Sequence, residues 1–344
     1  MRNITTIGLD IAKNVFQVHA EDANGNTVFN RKLRRVELAA FFGKLPPCTV
    51  AMEACGSANH WARTITARGH EVRLLPAQLV KAFIPRGKTD ANDAIGISEA
   101  MKRKDIRFVP VKSAEQQGAA VVLRTRSLMV RQRVMAVNAV RSHLSEFGVI
   151  GPVGIANVGK LMAALDQLDE SIIPPAARFA LNEIREEITR LDDRIDRIDR
   201  EIAAHAKRDE DIQRLLTIPA VGAITASTIK ALVPDPAGFK SARHFAAWIG
   251  LTPKANSSGE KIRDGHISKM GNRELRSLLF LCSLSAIRVA RRADTMLPWL
   301  KNLLKRRPVK VAAVALANKM ARIVWALLTK GGTYNPALPD ATHI

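Results

Sequence analysis

The sequence contains few cysteines, few aromatic residues and a minority of acidic ones. Its three cysteines, Cys48, Cys55 and Cys282, show neither paired spacing nor nearby histidines, so they support neither a zinc site nor a disulfide framework. We expect them to be reduced core residues in a cytosolic protein. With one tyrosine and eleven phenylalanines among 344 residues, the chain also offers few platforms on which unpaired bases could stack.

Long uncharged hydrophobic segments are also missing. The most apolar stretch, VAAVALANKMARIVWALL, is interrupted by Asn318, Lys319 and Arg322, so we expect a packed helix there instead of a membrane span. The N-terminus enters a strand pattern within its first residues, which leaves no room for a signal peptide. These absences predict a cytoplasmic protein without a membrane partner.

Acidic residues are outnumbered by basic ones. The chain has 32 Asp and Glu against 53 Lys and Arg, which gives a formal net charge of +21. Such an excess is most simply matched by a polyanion. Nucleic acid is the favoured partner, and an anionic membrane surface is the main alternative. Because aromatic platforms are sparse, binding is expected to depend on phosphate contacts and to weaken steeply with salt.

Alternating apolar residues and turn signals predict an α/β domain at the N-terminus. Residues 4–10, 14–21 and 26–32 read as three strands of a meander. Helix, strand, helix, strand and helix follow up to residue 104, an order typical of a mixed sheet covered by helices. A chain of 344 residues exceeds what one core usually fills, so a second domain or an extended arm is also expected.

Four acidic residues fall at the ends of these predicted elements. Asp10 closes the first strand and Glu53 closes a later, buried one, while Asp90 and Asp93 share one face of a following helix. Like charges at this spacing repel one another unless a cation lies between them. The quartet therefore indicates a divalent-metal site for phosphodiester chemistry. The alternative is structural. In it Asp90 is an N-terminal helix residue that the helix dipole favours, and Asp93 is a solvated surface acid.

The middle of the chain is basic and then strongly periodic. Residues 107–147 have a largely helical pattern and are rich in arginine. This composition is compatible with a solvated charged face or with a surface that binds successive phosphates of a nucleic acid. The arginines that we expect to contact nucleic acid are Arg124, Arg126, Arg131 and Arg133. Residues 178–207 carry a heptad seam of leucine and isoleucine. The seam predicts a dimeric coiled coil, with an intramolecular helical hairpin as the alternative.

Two further motifs follow the heptad segment. The segment LLTIPAVGAITASTIKALV resembles a helix-hairpin-helix element, in which a Pro/Gly turn exposes backbone N–H groups to a phosphate. Residues 252–272 read as a polar loop before a helix that starts near Arg273. Serine hydroxyls among cations could supply a nucleophile and stabilise a phosphate there. The hydroxyl and cationic residues of this loop are Ser257, Ser258, Lys261, Arg263, His266, Ser268 and Lys269.

Five short motifs occur one after another along the chain. They are GLDIAKNVFQV, MEACGS, KTDANDA, TIPAVGAITA and GLTPKANSSGEKIRDGHISKMGNRELR. Singly, GLD and IPAVG are common, but the ordered set is specific. It resembles the DEDD transposases of the bacterial insertion-sequence 110 family, or its 1111 subgroup, from residue 4 to residue 332.

The resemblance implies a domain organisation. Residues 1–150 should form a catalytic domain with the RNase H-like fold of Holliday-junction resolvases. Residues 151–210 should form a linker and a coiled-coil arm. A mainly α-helical transposase domain is expected over residues 211–335, with a short tail at 336–344.

The resemblance also implies a chemistry for particular residues. The family's four acids, which hold Mg²⁺, correspond to Asp10, Glu53, Asp90 and Asp93. The family's nucleophilic serine falls on Ser258, which would form a covalent phosphoserine with DNA while the metal site of a partner subunit assists. The segment here reads NSSG, so the adjacent hydroxyl of Ser257 competes for that assignment.

DNA, RNA and further copies of the chain are the implied partners. Family members use a non-coding RNA encoded by their own element to select DNA, so a guide RNA is expected, as is a dimer or tetramer at the bacterial nucleoid. The nucleic-acid contacts expected in the C-terminal domain are Lys261, Arg263, Lys269 and Arg273. The leading hypothesis is a transposase. The alternatives are a hydrolytic junction nuclease that uses only the four acids, and a non-catalytic nucleic-acid-binding scaffold.

Overall fold

The computed structural model of the chain describes residues 4–87, 89–255 and 264–335. By packing, the chain divides into two units, Met1–Gln116 and Gln117–Ile344. This boundary falls before residue 150, where the sequence places the end of the first domain, because a long helix that begins at Ala114 packs within the second unit.

A five-stranded mixed sheet is the centre of the first unit. Its strands are β1 (Ile4–Asp10), β2 (Val15–Asp22), β3 (Thr27–Arg34), β4 (Thr49–Glu53) and β5 (Glu71–Leu75). The spatial order is β3-β2-β1-β4-β5. The first three strands pair antiparallel, whereas β4 and β5 run parallel to β1. The predicted meander and mixed sheet are therefore confirmed.

Helices cover both faces of this sheet. They are α1 (Arg35–Gly43), α2 (Ala58–Thr66), α3 (Ala77–Val80) and α4 (Asp90–Met101). Helices α1 and α2 pack on one face, where Phe16, Phe42 and Trp61 are buried. Helix α4 covers the other face with Ile97 and Ala100. Because β1 and β4 are covered on both sides, apolar residues occupy consecutive positions in them.

In the residues that the structure describes, the second unit is helical apart from one short pair of strands. Its elements are α5 (Ala114–Glu146), α6 (Val158–Gln167), α7 (Pro175–Arg208), α8 (Glu210–Leu216), α9 (Ala223–Leu232), α10 (Ala242–Ile249), β6 (Pro253–Ala255), β7 (Asp264–Ile267), α11 (Arg273–Arg292), α12 (Pro298–Arg306) and α13 (Val309–Lys330). The mainly α-helical C-terminal region expected from the sequence is confirmed. The stretch 252–272 is not all loop, because β6 and β7 pair antiparallel. Backbone hydrogen bonds make this pairing, so the polar side-chain pattern did not predict it.

The heptad seam of α7 is buried within its own chain. Ile188 shares a core with Val137 and Val140 of α5, and Ile202 shares another with Leu123, nearer the start of α5. The two helices therefore run antiparallel as a helical hairpin. This is the intramolecular alternative that the heptad pattern left open. A coiled-coil dimer through the same seam gains no support from this packing.

Helix α13 is long and apolar and packs in the C-terminal core. Among the residues that the structure describes, it alone is long and apolar enough to span a membrane by composition. Its Leu316, Met320 and Val324 are buried in a core with Leu279 of α11, and Ser283 of α11 donates a hydrogen bond to the Met320 sulfur at 3.2 Å. The helix thus has the packed role expected from its interrupting polar residues.

Candidate active site

The carboxyl ends of two neighbouring parallel strands place Asp10 beside Glu53. Leu9 of β1 lies next to Met52 of β4 in the parallel pairing of these strands. Asp10 follows Leu9 and Glu53 follows Met52, and each acid is the last residue of its strand. Both acids are partly buried. The carboxyl edge of parallel strands is where ligands bind in open α/β sheets, so the two carboxylates lie where a site is expected.

Helix α4 adds the other two acids. Asp90 and Asp93 lie in its first turn, on one face because they are three residues apart. Gly8 of β1 lets the helix lie directly on the strand, since a Cβ at Gly8 would be 2.2 Å from the carbonyl oxygen of Ala94. Close packing of α4 on β1 therefore sets how near the helical acids come to the strand acids.

Burial and neighbouring acidic charges both act on the two strand acids. Burial raises the pKa of Asp10, and repulsion from Asp93 and then Asp90 raises that pKa further. Burial also raises the pKa of Glu53, followed by repulsion from Asp10 and Asp93. The charge of Asp93 thus reaches both strand acids, and that of Asp90 reaches Asp10. Ionising Asp10 and Glu53 therefore costs free energy, which a bound cation would offset.

The donor chemistry of this quartet suits a hard divalent cation, because all four side chains offer carboxylate oxygens. Over residues 4–87, 89–255 and 264–335, however, no three acidic, histidine or cysteine side chains form a group that could hold a metal ion by themselves. Asp90 instead pairs with Lys32, with Nζ and Oδ2 3.4 Å apart. The acids fit Mg²⁺ by type and charge, and substrate phosphate commonly completes such magnesium sites.

Polar side chains of β2 and β3 lie next to the strand acids in the sheet, and the sequence interpretation missed them. Gln17 lies opposite Asp10, and Lys32 lies opposite Gln17. The Gln17 side-chain amide donates to Asn30, whose own amide donates to the carbonyl oxygen of Ala91 at 3.4 Å. Ala91 belongs to the turn of α4 that carries the acids, so β2 and β3 hold that turn. The available signal was a polar residue alternating with apolar ones in β2.

A cluster of hydrogen bonds around the buried Glu21 ties the other end of α4 to β2. Glu21 accepts from His19 Nε2 at 3.1 Å and from Lys102 Nζ at 3.0 Å. Lys102 directly follows α4, and both His19 and Glu21 are almost completely buried. Helix α4 is therefore tied to β3 near its first turn and to β2 just past its last, which limits how far its acids can shift.

Much of the expected serine loop lies outside the described residues. This applies to the candidate nucleophiles Ser257 and Ser258 and to the cations Lys261 and Arg263. The loop joins β6 to β7, so its two ends are paired strands. The other two expected contacts, Lys269 and Arg273, are described and exposed.

The arginines expected along α5 divide into two pairs. Arg126 and Arg133 form ion pairs with aspartates of α7, Asp199 and Asp192 respectively, and all four side chains belong to the α5–α7 hairpin. These two arginines are mostly buried and hold the hairpin together, so they are poorly placed to contact a phosphate. The two arginines that remain exposed are Arg124 and Arg131.

Two family models match the chain. A transposase model named for the DEDD transposases of IS110 elements matches residues 7–149, and the model of the IS116/IS110/IS902 transposase family matches residues 212–297. The first match ends close to residue 150, where the sequence motifs place the end of the catalytic domain. It also contains all four acids of the candidate site.

Curated relatives match the chain almost from end to end. A protein of Pseudomonas aeruginosa named "Probable family 20 transposase" is 45% identical over 97% of this chain and 99% of its own length. The transposase for insertion sequence element IS1111A of Coxiella burnetii is 38% identical over 97% of this chain and 92% of its own. The corresponding values for the IS1328 transposase of Yersinia enterocolitica are 37%, 97% and 100%. The chain therefore belongs to the IS110 family of transposases, enzymes that cut and rejoin DNA when insertion elements move.

Proposed function

We propose that this transposase breaks and rejoins DNA strands through the hydroxyl of Ser258, assisted by Mg²⁺ at the four acids. The observation that carries the proposal is the position of Asp10 and Glu53 at the ends of the paired strands β1 and β4, where burial and then the charge of Asp93 on α4 raise the pKa of both carboxyls. Strand acids whose ionisation is disfavoured by burial and by neighbouring carboxylates gain from a bound cation, and phosphodiester chemistry is a common use of such a site. The acids that would hold Mg²⁺ are Asp10, Glu53, Asp90 and Asp93.

The proposed covalent step conserves the phosphodiester bond energy. Ser258 Oγ gives its proton to a base and attacks a DNA phosphorus, which forms a serine–phosphate bond. The bond from that phosphorus to a deoxyribose oxygen breaks, and the oxygen takes up a proton to become a strand-end hydroxyl. For rejoining, a deoxyribose hydroxyl attacks the phosphoserine and releases the serine. Mg²⁺ would offset the negative charge that develops on the phosphate oxygens.

The same proposal includes an RNA partner and an oligomer. A non-coding RNA encoded by the element would select the DNA, and the acids of one subunit would assist the serine of another. The family membership and the formal net charge of +21 support two polyanionic partners. Sequencing the RNA that copurifies with the protein from bacteria that carry the complete element tests this part. Recovery of random cellular RNA alone would contradict it.

The serine assignment is tested by trapping the covalent adduct. End-labelled DNA substrate, Mg²⁺ and the full chain should yield an adduct that survives denaturing gel electrophoresis. Ser258→Ala should abolish the adduct and strand exchange while DNA binding persists, whereas Ser257→Ala should retain both. An adduct that persists in Ser258→Ala would move the assignment to Ser257 or Ser268.

A hydrolytic junction nuclease is the alternative that this experiment separates. It would use the four acids and water, so it would cleave DNA in the presence of Mg²⁺ without any adduct. Cleavage by Ser258→Ala at the rate of the unmodified chain would favour this alternative. Binding without Mg²⁺-dependent cleavage in any variant would indicate a non-catalytic scaffold.

A further inference from the structure

One surface of the second unit is strongly basic. Residues 288–310 contain eight lysines and arginines and a single acid, Asp294. All eight cationic residues are exposed. We call this region the α12 surface, and its cations are Arg288, Arg291, Arg292, Lys301, Lys305, Arg306, Arg307 and Lys310.

Packing of α12 explains why its cations point outward. Leu300 is buried in the C-terminal core, with Leu303 and Leu304 packed beside it. Residues four positions apart share a helix face, so Lys301 and Lys305 lie together on a solvent-exposed face that flanks the apolar side. With Arg291 at the end of α11, these lysines line a cleft of about 320 Å³. The apolar side of α12 thus fixes a concave group of cations.

These cations have little neutralising charge around them. Among the described residues, only Lys301 has a carboxylate within ion-pair distance, and its Nζ is 4.0 Å from Asp294 Oδ1 with both side chains well exposed. Such a pair contributes little. The outer face of α7 differs, because there Arg190 pairs with Glu186 and Glu187. The α12 surface therefore presents positive charge that a polyanion can use.

We infer that the α12 surface binds the phosphate backbone of duplex DNA. Stacking platforms for unpaired bases are missing from it, because its one aromatic residue, Trp299, is half-buried and lies under the ammonium group of Lys319, 5.1 Å from the ring centroid. Lysine and arginine contacts to phosphate position a duplex without reading its sequence. DNA is the partner on which the family acts. The inference concerns binding alone and does not depend on the proposed serine chemistry.

The test measures how DNA affinity of the full chain depends on salt. The variant Arg291→Gln/Lys301→Gln/Lys305→Gln removes three cations from the cleft. Each phosphate contact contributes about 0.9 to the slope of log affinity against log salt on B-form DNA, so the slope should fall by roughly 2 to 3. The loss should be equal for DNA duplexes of unrelated sequence.

A matched control removes the same charge from α7. Arg190→Gln/Arg194→Gln/Arg197→Gln changes three exposed arginines that line one face with Asp193 and Asp196, and it should change the slope by less than about 1. Equal slopes for the cleft variant and the unmodified chain would overturn the inference. Loss of binding to duplex RNA alone, with duplex DNA binding intact, would also overturn it. Thermal unfolding of both variants verifies that they remain folded.

Discussion

Gly8 of β1 and Ala94 of α4 are in closer contact than any residue with a side chain at position 8 would allow. A Cβ there would lie 2.2 Å from the Ala94 carbonyl oxygen and 2.9 Å from the backbone nitrogen of Ser98. Both contacts are to helix backbone, which cannot move aside as a flexible side chain can. The contact therefore fixes the distance between the helix that carries two of the acids and the strand that carries Asp10.

Gly8→Ala is expected to push α4 away from the sheet. Overpacking of this kind typically costs about 1–3 kcal/mol, and the displaced acids should also lower Mg²⁺-dependent DNA cleavage. Chemical denaturation and a cleavage assay measure the two effects. Gly118→Ala is the control, because a Cβ at Gly118 meets nothing within 4 Å. That change in an exposed helix should stabilise the chain by about 0.5–1 kcal/mol, and a similar response of both variants would contradict the argument.

Asn30→Ala should loosen the first turn of α4. The substitution removes the hydrogen bond to the Ala91 carbonyl and leaves the buried amide of Gln17 without its acceptor, at a cost of about 1–3 kcal/mol. Because this turn carries two acids, we expect a higher Mg²⁺ concentration to be needed for half-maximal cleavage, with the rate restored at saturating Mg²⁺. A Mg²⁺ titration of cleavage measures this shift.

The control for Asn30→Ala lies in the same β2–β3 hairpin. Asn24 is exposed and uses its backbone N–H, not its side chain, to bond Asp22. Asn24→Ala should therefore leave both stability and the Mg²⁺ requirement unchanged. A lower maximal rate in Asn30→Ala that extra Mg²⁺ does not restore would show that the Gln17–Asn30 pair does not act through the metal site.

Asp10→Asn should stabilise the chain in the absence of divalent cations. The pKa of Asp10 is raised in the folded chain above its ordinary value of 3.8, so the folded state keeps this proton to a higher pH than the unfolded state does. Stability therefore falls as the pH rises from 3.8 through the raised pKa, and it stays lower above that pKa. The melting temperature of Asp10→Asn should exceed that of the unmodified chain near neutral pH, and the difference should shrink as the pH falls.

A surface acid with the opposite pKa shift provides the control. The backbone N–H of Ser171 donates to Asp169 at 2.8 Å and lowers the pKa of that carboxyl. Its contribution to stability is present above the ordinary pKa of 3.8 and is lost as the pH falls through the lowered pKa. Asp169→Asn should thus lower the melting temperature slightly near neutral pH. Equal shifts for both variants would contradict the electrostatic account of Asp10.

The strand acids could be predicted because strand ends can be recognised in a sequence. Alternating apolar residues and nearby turns set the ends of β1 and β4, so the sequence alone predicts Asp10 and Glu53 at the ends of two strands. The links through Gln17 and Asn30 could not be predicted in this way. They join strands to a helix that is 61 residues further along the chain, and no local pattern states which polar groups meet at that distance.

The heptad pattern of α7 shows the same limit. Periodicity indicates that one face of a helix is covered. It does not indicate whether the helix that covers this face belongs to the same chain or to another copy. Here α5 supplies it, and two of the arginines expected to bind nucleic acid were used instead as ion-pair partners of α7. The sequence does not show whether the partner of a basic residue is a phosphate or a neighbouring carboxylate.

Arg126 should therefore contribute to stability and Arg124 to DNA binding. Arg126 pairs with Asp199 where both side chains are largely covered, so a double-mutant cycle on this pair should give a coupling of about 1 kcal/mol. Arg124→Ala should leave the unfolding free energy unchanged, and it should weaken duplex DNA binding more than Arg126→Ala does. Chemical denaturation and DNA titration measure the two effects. A coupling energy near zero would return Arg126 to the set of candidate phosphate contacts.

Ile188→Ala tests whether the α7 seam belongs to one chain or to two. Ile188 is 5% exposed in a core with Val137 and Val140, and truncation of a buried isoleucine costs about 2–5 kcal/mol. If α5 fills the seam, this loss appears in the unfolding free energy at every protein concentration, and the oligomeric state in sedimentation analysis does not change. The exposed seam-helix position Thr189 supplies the control, since Thr189→Ala should alter neither quantity. Dissociation of an oligomer by Ile188→Ala, with destabilisation that disappears at high protein concentration, would instead show that a second copy covers the seam.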